Sequence, residues 1–88
     1  TITVTQGDPI TVTGTYQPLT AGGAVSTGSM ACGTAGNLII LTNISANNIV
    51  ISDTGTIMLN TNRTLGQYDT LTLLSDGTNC LELAFNDN

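Results

Sequence analysis

Charged side chains are scarce in this chain. Its 88 residues include one basic residue, Arg63, with no Lys, His or Trp, and the net charge is −5. Nucleic-acid binding depends on several Lys and Arg side chains that neutralise phosphates. We therefore predict no nucleic-acid partner, and by the same argument no membrane surface. Without His, Ser–His and Cys–His nucleophilic catalysis is excluded, and a structural zinc site is disfavoured.

The six acidic residues form no catalytic or metal-binding pattern. Asp53 and Asp76 lie in turn sequences, where an Asp carboxylate bonds its own backbone. Glycoside hydrolysis needs two carboxylates that face each other across one bond. Asp69 and Glu82 remain for that role, without an aromatic platform for a sugar. Calcium could bind Asp and Asn side chains at a subunit junction, but no loop has EF-hand spacing. We predict no enzyme, no cofactor and no metal site.

Two cysteines, Cys32 and Cys80, allow one disulfide. Such a bridge would contribute about 4 kcal/mol through chain entropy, whereas free buried thiols would act as small apolar residues. The chain does not resemble a disulfide framework, so free thiols are favoured over a bridge, with both alternatives left open. One domain of this length is near the lower limit for an independent core. Oligomerisation is then the expected source of added stability.

Apolar residues alternate with Thr in the first part of the chain, which predicts half-buried strands at 2–5 and 10–13. The run 38–41 is apolar on both faces and predicts a strand that is buried on both sides. Further strands are predicted at 49–51, 57–59, 70–74 and 80–85. Strands that recur at this spacing between turn signals are typical of a sandwich or barrel. We predict an all-β fold, an antiparallel, jelly-roll-like β-sandwich.

The chain divides by composition into residues 1–37 and residues 38–88, within one domain overall. Small and flexible residues fill 17–37, which predicts a long loop or arm with room for a short strand near 29–32. We expect 38–88 to form the β-core, and the N-terminal strands and this arm to extend towards a neighbouring subunit. Exposed edge strands are usually protected by charges. Because this chain has few, we expect other chains to cover its edges.

Contacts between subunits are predicted at six positions. Arg63 is either a solvated loop residue or the partner of a carboxylate on a neighbouring chain, Asp69 or Asp53. The full predicted set is Ile2, Val4, Ile10, Val12, Arg63 and Asp69.

The segment 65–83 reads LGQYDTLTLLSDGTNCLEL. It resembles a C-terminal pattern of bacteriophage virion proteins, in which a strand such as DTLTL is followed by DGTNW and, one residue further on, by an acidic residue. The likeness extends over roughly residues 33–88. This chain departs from the pattern at Cys80, where the pattern has Trp, so another group must fill that place.

The resemblance implies a phage structural β-module of the kind found in tail fibres, tailspikes and capsid decoration proteins, which are usually trimeric. We expect a homotrimeric decoration (cement) protein on the capsid exterior, bound to the major capsid protein. The alternative is a trimeric tail fibre or tailspike module that takes part in host attachment. A start at Thr1 fits a whole chain slightly better than a fragment, which favours decoration. No internal repeat of fixed period is visible, which disfavours a bacterial adhesin repeat.

Overall fold

A computed structural model describes all residues from Thr1 to Asn88 and contains strands without a helix. The all-β class is thus confirmed, and no helix that could cross a membrane is present. The strands are β1 (Ile2–Thr3), β2 (Ile10–Thr11), β3 (Tyr16–Thr20), β4 (Val25–Thr27), β5 (Met30–Ala31), β6 (Leu38–Asn43), β7 (Ile49–Ile51), β8 (Ile57–Met58), β9 (Arg63–Leu65), β10 (Thr70–Ser75) and β11 (Cys80–Asn86).

Three sheets surround the core. The largest has six strands in the order β1-β3-β6-β10-β11-β8, the second pairs β2 with β5, and the third has the order β4-β7-β9. Along the chain, successive strands pass from one sheet to another and then return beside the earlier strand. This arrangement is solenoid-like, with the antiparallel strands β9, β10 and β11 following the parallel coils.

The pairing differs from the predicted antiparallel, jelly-roll-like sandwich, because five of the eight strand pairs are parallel. Parallel partners need a long connection between them, and here the connection runs through the other sheets. The spacing between partners is not constant. Ile2 pairs with Leu19, 17 positions on, whereas Tyr16 pairs with Ile40, 24 positions on. A search for a repeat of fixed period therefore finds none.

One core of 17 buried apolar residues joins all three sheets. Both 1–37 and 38–88 contribute to it, so the N-terminal part is not an extended arm. The predicted loop at 17–37 instead holds most of β3 and all of β4, while β5 lies at the short strand expected near 29–32. Small residues in this stretch allow short strands and tight corners, since a coil must turn between sheets every few residues.

Cys32 and Cys80 form a disulfide, so the prediction of free thiols is wrong. Their Cα atoms are 5.9 Å apart, within the usual range for a disulfide. Both residues are buried, with 6% and 1% of their surface exposed. The coil topology brings the end of β5 beside the start of β11. Residues that are 48 positions apart in sequence thereby become neighbours.

A fully buried amide links neighbouring coils. The side-chain amide of Asn43 donates to the carbonyl oxygens of Asn47 and Leu65, both at 2.7 Å. Its oxygen accepts from the backbone N–H and the hydroxyl of Ser45. Buried polar groups cost free energy unless they are hydrogen-bonded. No buried side-chain nitrogen or oxygen in the protein lacks a partner.

Candidate interaction surfaces

The surface holds no pocket and no cluster of three or more His, Cys, Asp or Glu side chains. Binding sites for small molecules are usually concave. The candidate site is therefore sought on the open faces of the sheets and at the predicted intersubunit residues.

The N-terminal residues that we predicted at subunit contacts lie mostly in the core. Val4, Ile10 and Val12 are between 1% and 9% exposed and belong to the core cluster. Ile2 is half-buried and packs against that cluster. The apolar half of the Thr-alternating pattern thus faces the protein's own interior. These side chains stabilise the coil itself, and the prediction of intersubunit contacts fails for the three that are buried.

Asp69 has a local role. Its carboxylate accepts from the backbone N–H of Gly66 and of Asn88, both at 2.8 Å. It is 5% exposed, so it is not available to a partner chain. These bonds hold the turn that precedes β10 and fix the C-terminal residue beside it. The N–H of Tyr68 in the same turn donates to the carbonyl of Asn43 at 2.6 Å.

Arg63 pairs with Glu82 of its own chain, and not with Asp69 or Asp53. The guanidinium donates to both carboxylate oxygens of Glu82, at 2.6 and 2.8 Å. It also lies over the ring of Phe85, 4.9 Å from its centre. Arg63 and Glu82 are 21% and 11% exposed in their side chains. The predicted carboxylate partner is present, but β9 and β11 of one protomer supply the whole arrangement.

Hydrogen bonding to Glu82 raises the pKa of Arg63 above its ordinary value, and the same bonds lower the pKa of Glu82. Each partner therefore favours the charged state of the other at neutral pH. The pKa of Asp76 is also lowered, because its carboxylate accepts from the backbone N–H groups of Asn79 and Thr78. Arg63, the one basic side chain, is thus neutralised by Glu82 of its own chain.

An exposed, uncharged face covers the outer side of the six-stranded sheet. Residues that pair between neighbouring strands share one side of a sheet, so strand register identifies the residues on this side. Leu74 lies between Leu38 and Leu81, and Leu81 lies beside Met58. We call these four residues the apolar row. The outer face comprises this row and the outward residues beside it, Tyr16, Pro18, Ile40, Thr42, Thr70, Thr72, Ala84 and Asn86.

Three residues of the outer face have exposed apolar side chains. Tyr16 is 59% exposed, Met58 45% and Leu38 40%, while Ile40, Leu74 and Leu81 are half-buried. Leu83 of β11 is also exposed, at 56%, but it lies at the register shift and has no cross-strand partner. The face can contact another neutral surface through apolar packing and Thr hydroxyls. It presents no side chain for acid–base chemistry.

Sequence reasoning missed this face because it assigned the run 38–41 to a strand buried on both sides. In the structure Ile39 and Leu41 are fully buried, whereas Leu38 and Ile40 point outward. The sequence does contain a signal for this face, because no segment has a helix pattern. A strand is buried on both faces only when another layer covers it, and this chain has no segment to provide one.

A scan against protein-family models, a search of curated proteins and a search of solved structures each found no match to this chain.

Proposed function

We propose that this protein is a structural component of a bacteriophage virion, a capsid decoration protein that acts as a homotrimer on the capsid exterior. It would bind the major capsid protein of the assembled shell and stabilise the shell by mass action, since a ligand of the assembled state alone shifts the equilibrium towards it. The proposed role involves no catalysis and no cofactor.

The observation that carries this proposal is the placement of the segment that resembles virion proteins. Its strands are β10 and β11, which pair with each other within the largest sheet. The departure from the virion pattern at Cys80 also has a physical counterpart. Cys80 is 1% exposed and bonded to Cys32, so a cross-link occupies the place where the pattern has a large aromatic side chain. A cross-linked body with an uncharged face suits a passive binding role.

A second candidate is a trimeric tail fibre or tailspike module involved in host attachment. The solenoid-like stacking of parallel coils favours it, because units of this kind stack one on another and then expose extended surfaces, although this chain by itself is compact, at 31 × 24 × 24 Å. This reading places the protein on the tail and gives it a host-surface partner.

Co-sedimentation distinguishes the two candidates. The labelled protein is mixed separately with purified tailless capsids and with purified tails of one virus, and each mixture is sedimented. Saturable binding to capsids, with a raised temperature of capsid disruption, supports the decoration role. Binding to tails alone supports the second candidate, and binding to neither contradicts both for that virus.

A further inference from the structure

We propose that the outer face is the surface through which copies of this chain bind one another, so that its occupant is the outer face of a second copy. The inference goes beyond the proposed function: a face that binds the same face of another copy closes at two copies, so the proposed homotrimer requires a further contact. It assigns the contact to a face that lies apart from all six positions predicted from the sequence.

The apolar row is the centre of the proposed contact. Its members are adjacent across β6, β10, β11 and β8. With strands about 4.8 Å apart, the row is about 14 Å long. Both of its end residues, Leu38 and Met58, keep 40% or more of their surface exposed. Contiguous exposed apolar surface of this kind marks interaction sites in soluble proteins.

A second row extends the contact and adds an aromatic anchor. Tyr16 pairs with Ile40, and Ile40 pairs with Thr72. Tyr16 is 59% exposed, and aromatic side chains are enriched where interfaces form. Further along the same strands Thr42 pairs with Thr70, so hydroxyl groups follow the apolar residues. The face therefore has an apolar end and a hydrogen-bonding end.

Charge identifies the occupant. No charged side chain belongs to the outer face, and Glu82, the one charged residue within β11, pairs with Arg63. The protein carries a net charge of −5, so contacts between copies through other surfaces would bring like charges together. A basic partner protein usually binds a surface of opposite charge, and the outer face offers it none. A second copy presents an equally neutral face.

The area of the face sets the expected strength. The face spans five strands, β3, β6, β10, β11 and β8; at about 4.8 Å apart and about 17 Å long on average, they give a footprint of about 400 Å² for each copy. Specific, stable interfaces bury about 800 Å² on each partner. The footprint is a lower limit, because side chains add relief, but it is about half of that value, which is the size of weak, transient contacts. We therefore expect self-association that depends on concentration, with a dissociation constant in the micromolar range or above.

Analytical ultracentrifugation of the full chain, from micromolar to millimolar concentration and without capsids, tests the proposal. The variant Leu38→Glu/Met58→Glu places carboxylates at both ends of the apolar row. The control Val50→Glu adds a carboxylate to the outer side of another sheet, where Val50 lies between Ser26 and Thr64. We expect the mass of the unmodified protein to rise with concentration towards that of two copies, because each copy has one outer face. The double variant should need at least ~10-fold higher concentration, and the control should behave as the unmodified protein.

A strictly monomeric protein at millimolar concentration would overturn the inference, and so would an equal loss of association in the control. If the double variant does not fold, Leu38→Thr/Met58→Thr replaces it, because Thr suits an exposed strand position, and the same comparison decides the outcome. Self-association without capsid binding would leave the inference standing and contradict the decoration role. Capsid binding by a protein that stays monomeric would overturn the inference and support capsid binding.

Discussion

Removal of the Cys32–Cys80 disulfide should destabilise the protein strongly. The bond joins residues that are 48 positions apart. For a closed loop of that size, the chain-entropy relation gives about 4 kcal/mol at 25 °C, because the cross-link restricts the unfolded chain. The suitable variant is Cys32→Ala/Cys80→Ala, since both sites are buried and serine would bring hydroxyl groups into an apolar environment.

The size of this effect is large beside the total stability. A folded protein of 88 residues has a free energy of unfolding of roughly 4–13 kcal/mol. A loss of about 4 kcal/mol would lower the melting temperature by roughly 16–30 °C in a domain of this size. The variant is therefore expected to unfold near or not far above room temperature if the intact protein is of average stability.

Urea unfolding followed by circular dichroism measures the effect. The matched control is the unmodified protein with its disulfide reduced, because that sample retains both sulfur atoms and lacks only the bond. We expect the reduced protein and the alanine variant to lose similar free energy, with a larger denaturant dependence than the oxidised protein because their unfolded chains expand further. A loss below about 1 kcal/mol in both samples would refute the entropic argument.

Three further predictions concern individual side chains. Asn43→Ala should reduce the free energy of unfolding by about 1–3 kcal/mol, because the carbonyl of Leu65 loses a buried donor; urea unfolding measures this, and an unchanged midpoint would contradict it. Leu73→Ala, at a fully buried position of β10, should cost about 2–5 kcal/mol in the same assay, and a much smaller loss would mean that the core can collapse around the cavity. The pKa of Glu82 is lowered by its bonds to Arg63 from an ordinary value of 4.5. The resulting stabilisation is complete above that value and is lost as the pH falls through the lower folded-state pKa, so thermal melts of Glu82→Gln should change less with acid than those of the unmodified protein.

The positions of the C-terminal strands could be predicted from sequence. Alternation and turn residues indicated strands at 70–74 and 80–85, and the structure has β10 and β11 there. The turn between them was also predicted. Gly77 adopts a φ of +97°, a conformation that glycine reaches without steric cost, and Asp76 accepts from the following backbone N–H groups. These features are local, so a short stretch of sequence determines them.

The parallel pairing, the disulfide and the partner of Arg63 could not be predicted in the same way. Each depends on which coil lies beside which, and the partner spacing changes between coils from 17 to 24 positions. Alternating apolar residues favour a strand with one buried side, but they do not say whether its neighbour runs parallel or antiparallel. Glu82 lies 19 positions from Arg63 and becomes its partner only because β11 returns past β9.

The structure also changes the reason to expect assembly. The scarcity of charge suggested that other chains must cover the sheet edges, yet the large sheet ends in β1 and β8, which have two residues each. Very short edge strands, and a bulge such as the register shift opposite Thr72 and Leu73, themselves limit edge-to-edge pairing. The argument from the edges is therefore weaker, although β8 covers β11 only at Cys80 and Leu81. The outer face is also uncovered, and its apolar side chains lie in adjacent rows without any charge, so self-association is expected chiefly through that face.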